Sequence, residues 1–167
     1  MNRNLHRKRI LALDVHNLSF GFAVFEGQDA LVDWGVKSFR PGTNSVQVPF
    51  PRRLALLLDE FTPQTIVLRV ALGVNLDQKI RTITRLAKTR RIAIRTMSHD
   101  DILRTFPGHN RNKHEIAMFV AGRFPELALP PKPKPWRNEH YRTSIFEAVA
   151  AGLTYFATGK NGRGLPE

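Results

Sequence analysis

Arg9-Ile10-Leu11-Ala12-Leu13-Asp14, followed within one turn by Phe20-Gly21-Phe22-Ala23-Val24-Phe25-Glu26, is the stretch that decides the fold. The first run is short, apolar on both of its alternating faces, and ends at a carboxylate. That pattern reads as a strand buried inside a sheet. Asn17, Ser19 and Gly21 supply a turn, and Phe20 to Glu26 reads as a second strand. Gly27-Gln28-Asp29 reads as a tight hairpin loop and Ala30 to Phe39 as a third strand, giving an antiparallel meander.

Outward from this meander, helices and strands alternate. Pro51 suits the first turn of a helix, and Arg52 to Phe61 carries Leu54, Leu57, Leu58 and Phe61 at helical spacing. Thr65 to Leu68 reads as a fourth, buried strand reached by a crossover. Leu76, Ile80, Ile83 and Ala87 share one face of a helix ending at Thr89, and Ile92 to Thr96 reads as a fifth strand. Ser98 with Asp101, and Asn112 with Glu115, have capping-box spacing. They predict a short helix through Phe106 and another from Lys113 to Phe124, with Ile116, Phe119, Val120 and Phe124 inward. Pro130 to Pro135 reads as a semi-rigid loop. A last helix is predicted from Tyr141 to Thr158, stopped by Gly159. Three meandering strands followed by alternating helices and strands imply one mixed sheet with helices on its faces, as a single α/β domain over residues 1–159 and a frayed tail over 160–167.

Composition narrows the function. Of the 167 residues 42% are hydrophobic, enough for a packed core. There is no uninterrupted apolar run of membrane-spanning length, and the basic N-terminus lacks a secretory apolar region, so a cytoplasmic location is expected. With no cysteine, disulfides, cysteine-zinc sites and thiol nucleophiles are excluded. The net charge of +12, from 26 Lys and Arg against 14 Asp and Glu, points to a polyanionic partner, nucleic acid first. A generally basic proteome or association with ribosomes is the plainer alternative.

Asp14 stands where an α/β sheet opens a crevice, at the end of a central strand. It suits a hard cation, Mg²⁺ or Mn²⁺; it equally suits an Asp that closes a turn on its own backbone. Ile10 to Asp14 followed by Gly21 to Val24 resembles the first hairpin of the RuvC-type Holliday-junction resolvases, of the ribonuclease H-like superfamily. In that family the strand ends in a metal-binding Asp and the next begins with Gly. Asn112 to Ile116, ending in Phe124-Pro125-Glu126-Leu127, resembles its penultimate helix. Phe146-Glu147-Ala148-Val149-Ala150-Ala151-Gly152-Leu153 resembles its final helix, where an Asp-Ala pair supplies the last metal ligand.

The resemblance implies a five-stranded mixed sheet and a homodimer that engages branched DNA symmetrically. It also implies a Mg²⁺- or Mn²⁺-dependent, structure-selective endonuclease in which metal at Asp14 and Glu147 activates water. Glu147 lies with Ser144, Ala151 and Thr154 on a mostly small-residue face; an exposed Glu on an amphipathic helix is the alternative. The chain departs from the family at three points. Val15-His16 replaces a Pro-Gly, Ser144 stands at an acidic or histidine position, and Arg69 stands where the family has its middle Glu. A two-metal mechanism needs carboxylates there. Three accounts follow. Glu139, with His140 behind it, replaces the lost ligand; or one metal suffices; or the chain binds branched or single-stranded nucleic acid without cutting it, Arg69 taking the cation's place beside Asp14 or Glu147. His16 reads as a turn residue or as an aid to Asp14, and His109 and His114 are wrongly spaced for one helical face. An actin-like ATPase would need glycine-rich phosphate loops where Val15-His16-Asn17 stands.

For the binding surface, Arg81, Arg85 and Lys88 form a stripe on the polar face of their helix, with Arg90, Arg91 and Arg95 close behind. Like charges at that spacing repel, and a phosphate backbone would relieve them. Arg69, Lys113 and Arg142 are further candidate phosphate contacts. Arg7, Lys8, Arg9, Arg111, Lys132, Lys134 and Arg137 extend the set, and Trp136 is a candidate for stacking on an unpaired base.

Overall fold

The computed structural model describes residues 8–39, 48–69, 76–106, 108, 112–130, 132, 134 and 140–159. The expected tail and Glu139 lie outside them, as do Trp136, His109, Arg7, Arg111 and Arg137. The elements are β1 (Arg9–Val15), β2 (Ser19–Glu26), β3 (Leu31–Ser38), α1 (Phe50–Phe61), β4 (Thr65–Arg69), α2 (Asp77–Thr89), β5 (Ala93–Met97), α3 (His99–Thr105), α4 (Lys113–Arg123) and α5 (Thr143–Gly159). They form one five-stranded sheet in the order β3-β2-β1-β4-β5. β1, β2 and β3 pair antiparallel, as the meander predicts, while β4 lies parallel to β1 and β5 parallel to β4. Among the described residues no helix is long and apolar enough to cross a membrane.

Strand alternation sorts the core into two layers. Leu11, Leu13 and Val15 of β1 and Ile66 and Leu68 of β4 pack under α1 and α2. Ile10 and Ala12 of β1, Ala23 and Phe25 of β2 and Val67 of β4 pack under α3, α4 and α5. Because side chains alternate with period two, Asp14 shares the face of Ile10 and Ala12, and Arg69 that of Val67. Both therefore turn toward α5.

α5 is buried continuously from Ser144 to Thr154, as a helix apolar around most of its circumference should be. Two glycines let it lie that close. A Cβ on Gly21 would overlap the Ser144 carbonyl and hydroxyl, and one on Gly152 would run into the Phe25 ring. The chain thus has glycine in β2 and in α5 where two backbones meet a neighbour.

Local signals held where chemistry is local. Ser98 and Asp101 form a reciprocal capping box on α3, and Asn112 accepts the Glu115 N–H at 2.9 Å at the start of α4. Several details differ. α5 starts at Thr143 rather than Tyr141 and includes Gly159. β5 lies one residue later than expected, and α1 begins at Phe50 with Pro51 in its first turn. Phe119, expected inward, is 44% exposed and packs edge-to-face on Phe106 at 5.2 Å. α4 lies over α5 with the narrower stripe Ile116, Ala117 and Val120, which leaves Phe119 on its flank.

Candidate functional site

β1 and β4 are adjacent, parallel, and end at the same rim of the sheet, and their register pairs Asp14 directly with Arg69. α5 crosses above them and delivers Ser144 and Glu147 to the same place. Asp14 is 1% exposed, Arg69 7% and Glu147 8%. Charges so deprived of water persist only when paired. Arg69 meets that need for both acids. Its Nη1 donates to Asp14 Oδ1 at 3.1 Å, and its Nε lies 2.6 Å from Glu147 Oε2. The second contact is ionic rather than directional: among the described residues the buried Nε has no aligned hydrogen-bond acceptor.

The other oxygen of Asp14 is held from two sides. His16 Nε2 lies 2.7 Å from Oδ2, and the Ser144 hydroxyl donates to Oδ2 at 3.1 Å. That hydroxyl is also 3.2 Å from the Asp14 carbonyl oxygen. Burial is the largest single influence on the Asp14 carboxyl and pushes its pKa up. The hydrogen bond and charge of His16, then those of Arg69, together outweigh burial and leave it below the ordinary value of 3.8. The centre thus joins two carboxylates to one guanidinium, and His16, 41% exposed, contacts it from the solvent side.

The structure brings Asp14, Glu147 and Arg69 together as one cluster and corrects two readings. Glu147 is not an exposed helix residue. Arg69 is not a surface phosphate contact; it is buried against two carboxylates. The donor set does not fit a two-metal centre. Among the described residues no group of three His, Asp or Glu side chains converges to hold a metal, and the space between the two carboxylates that do converge is filled by a guanidinium. Ser144, which stands at an acidic or histidine position of the family, is a hydrogen-bond donor to Asp14.

The surface cations lie elsewhere. Arg81, Arg85 and Lys88 are exposed on α2, but α2 packs on the opposite face of the sheet from Glu147. α2 starts at the rim where β4 ends and runs back about 20 Å to where β5 begins. Arg81 therefore lies on its rim-proximal half. Arg90 and Arg91 lie at the far end, where Arg90 is held by Asp59 at 2.9 Å and 3.4 Å and Arg91 takes a left-handed φ of 55°. Lys113 is exposed at the first turn of α4, and Arg142 is partly buried just ahead of α5.

No family model matches this sequence, and no curated protein sequence matches it. Solved structures do. Thermus thermophilus RuvC in complex with a Holliday junction substrate superposes with a TM-score of 0.66 at 16% identity, over 93% of this chain and 96% of that one. Thermus thermophilus RuvC alone gives 0.64 at 19% identity, over 92% and 96%. The Fowlpox virus resolvase in complex with Holliday junction DNA gives 0.61 at 13% identity, over 90% and 97%. At these identities the likeness speaks for architecture, and the chain has the ribonuclease H-like fold of the RuvC and poxvirus Holliday junction resolvases.

Proposed function

We propose that this protein binds branched nucleic acid on a resolvase fold and holds it without cutting. The observation that carries the reading is the Arg69 guanidinium seated between Asp14 and Glu147, at the rim where strand cleavage by metal-activated water would need a divalent ion. Binding is supported by the net charge of +12, by the exposed cations of α2, and by the two similar structures described as complexes with Holliday junction DNA. A homodimer would present two such rims to two arms of a four-way junction. Competition binding tests the reading, with labelled four-way junction, duplex and single strand across a salt series. The junction should bind most tightly, with affinity falling steeply as salt rises. Equal affinity for all three would remove the branched substrate, and no binding to any would sink the nucleic-acid role.

A second reading, a Mg²⁺-dependent structure-selective endonuclease, is favoured by one observation: Asp14 and Glu147 do converge at the expected rim. It requires a further ligand, for which Glu139 is the candidate. It predicts metal-dependent strand cutting that Asp14→Asn and Glu147→Gln each abolish.

A further inference from the structure

Two carboxylates buried side by side need a cation, because neither is well solvated and each raises the other's cost of ionisation. In a sheet rim of this shape the cation can be an ion from solution or a side chain. Here it is Arg69. Its backbone is fixed by β-pairing directly opposite Asp14, so the guanidinium is tethered at the spot where both carboxylates point. A guanidinium is a permanent cation with a planar set of donors. The Nε contact to Glu147 is close yet not aligned as a hydrogen bond.

We propose that the Asp14–Glu147 centre is closed to divalent ions because Arg69 is its resident cation, and that removing the guanidinium opens a single site for Mg²⁺ or Mn²⁺. With Arg69 in place, an incoming divalent ion meets a buried positive charge and finds both oxygens of Asp14 and Oε2 of Glu147 already engaged. With Arg69 replaced by an uncharged or acidic residue, Asp14 Oδ1 and Glu147 Oε2 face an emptied seat. Oxygen donors of this kind suit a hard cation. The inference deepens the non-cleaving half of the function proposed above and rests on that reading only there.

The test is a Mn²⁺ titration of the full chain, following free Mn²⁺ by its paramagnetic signal, together with melting in Mg²⁺, Mn²⁺ or chelator. No nucleic acid is present, so failure here and failure of the binding reading are separate results. The wild-type chain should show no saturable binding and the same melting temperature in metal and chelator. Arg69→Gln and Arg69→Glu should each bind one ion, melt several degrees higher in metal than in chelator, and lose both effects when Asp14→Asn is added. Arg69→Glu folding only in the presence of metal would also support the proposal. Saturable wild-type binding that Asp14→Asn removes would overturn it. So would an Arg69→Gln chain that folds and binds no better than wild type.

Discussion

Replacing Arg69 by Met keeps most of its length and apolar stem but deletes its charge, leaving Asp14 and Glu147 buried with one cation fewer. Breaking a buried ion pair by removing one partner costs about 3–5 kcal/mol. A second route gives the same scale. The stranded pair can relieve itself by binding a proton, and neutralising a carboxyl of ordinary pKa 3.8 costs about 1.4 kcal/mol per pH unit above that value. The escape therefore caps the penalty at about 4 kcal/mol at pH 7 and at about 1.6 kcal/mol at pH 5. Urea unfolding at both pH values should show Arg69→Met destabilised by about 3–4 kcal/mol at pH 7 and by less than half of that at pH 5, with an unchanged denaturant slope. Adding Asp14→Asn should recover part of the loss, as coupled neighbours do. A loss under about 1 kcal/mol at pH 7, or one that does not shrink with acid, would refute the claim that Arg69 pairs with both buried acids.

Three further outcomes follow from the same geometry. Gly21→Ala should destabilise the chain more than Gly152→Ala, by upwards of about 3 kcal/mol against about 1–3 kcal/mol, because the first methyl meets the Ser144 backbone and the second a side-chain ring; thermal melting compares them. The folded-state pKa of Asp14 is lowered, so its contribution to stability is present above its ordinary 3.8 and is lost as pH falls through the lower folded value. Acid unfolding should accordingly be less steep over that window in Asp14→Asn than in wild type. Arg81→Ala and Arg85→Ala should weaken binding by similar factors on junction and duplex and each lower the salt slope by about 1, as loss of one phosphate contact does; a gel-shift salt series reads both, and an unchanged slope would place the nucleic acid elsewhere.

Much of the fold was legible because it is written in local periodicity. The unbroken apolar runs Ile10 to Leu13 and Ile66 to Leu68 mark strands buried on both faces, and the spacing of Leu54, Leu57, Leu58 and Phe61 marks a helix. Capping residues at Ser98 and Asn112 marked where helices begin. Asp14 and Glu147 were legible as candidates through the ordered resemblance to the resolvase hairpin and last helix. The pairing of Asp14 with Arg69 spans 55 positions of sequence, so the family resemblance offered it as one of several accounts and only the β1–β4 register selects it. Phe119 was misread because helical spacing gives the direction of a side chain but not the width of the surface that covers it. The stripe on α2 was legible as a stripe; that it lies across the sheet from Glu147 follows from strand parity together with strand order. Gly21 was legible as a turn or family residue, and its close contact with α5 emerges only when the helix is in place.

The most direct test of a binding module with a filled metal seat is a time course on end-labelled four-way junction at saturating protein, run in parallel in Mg²⁺, Mn²⁺ and chelator. The account predicts that junction is bound equally well in all three and that every strand stays full length. Strand cutting that appears only with metal and vanishes in both Asp14→Asn and Glu147→Gln would contradict it, and would mean that the centre exchanges Arg69 for a catalytic ion when nucleic acid is bound.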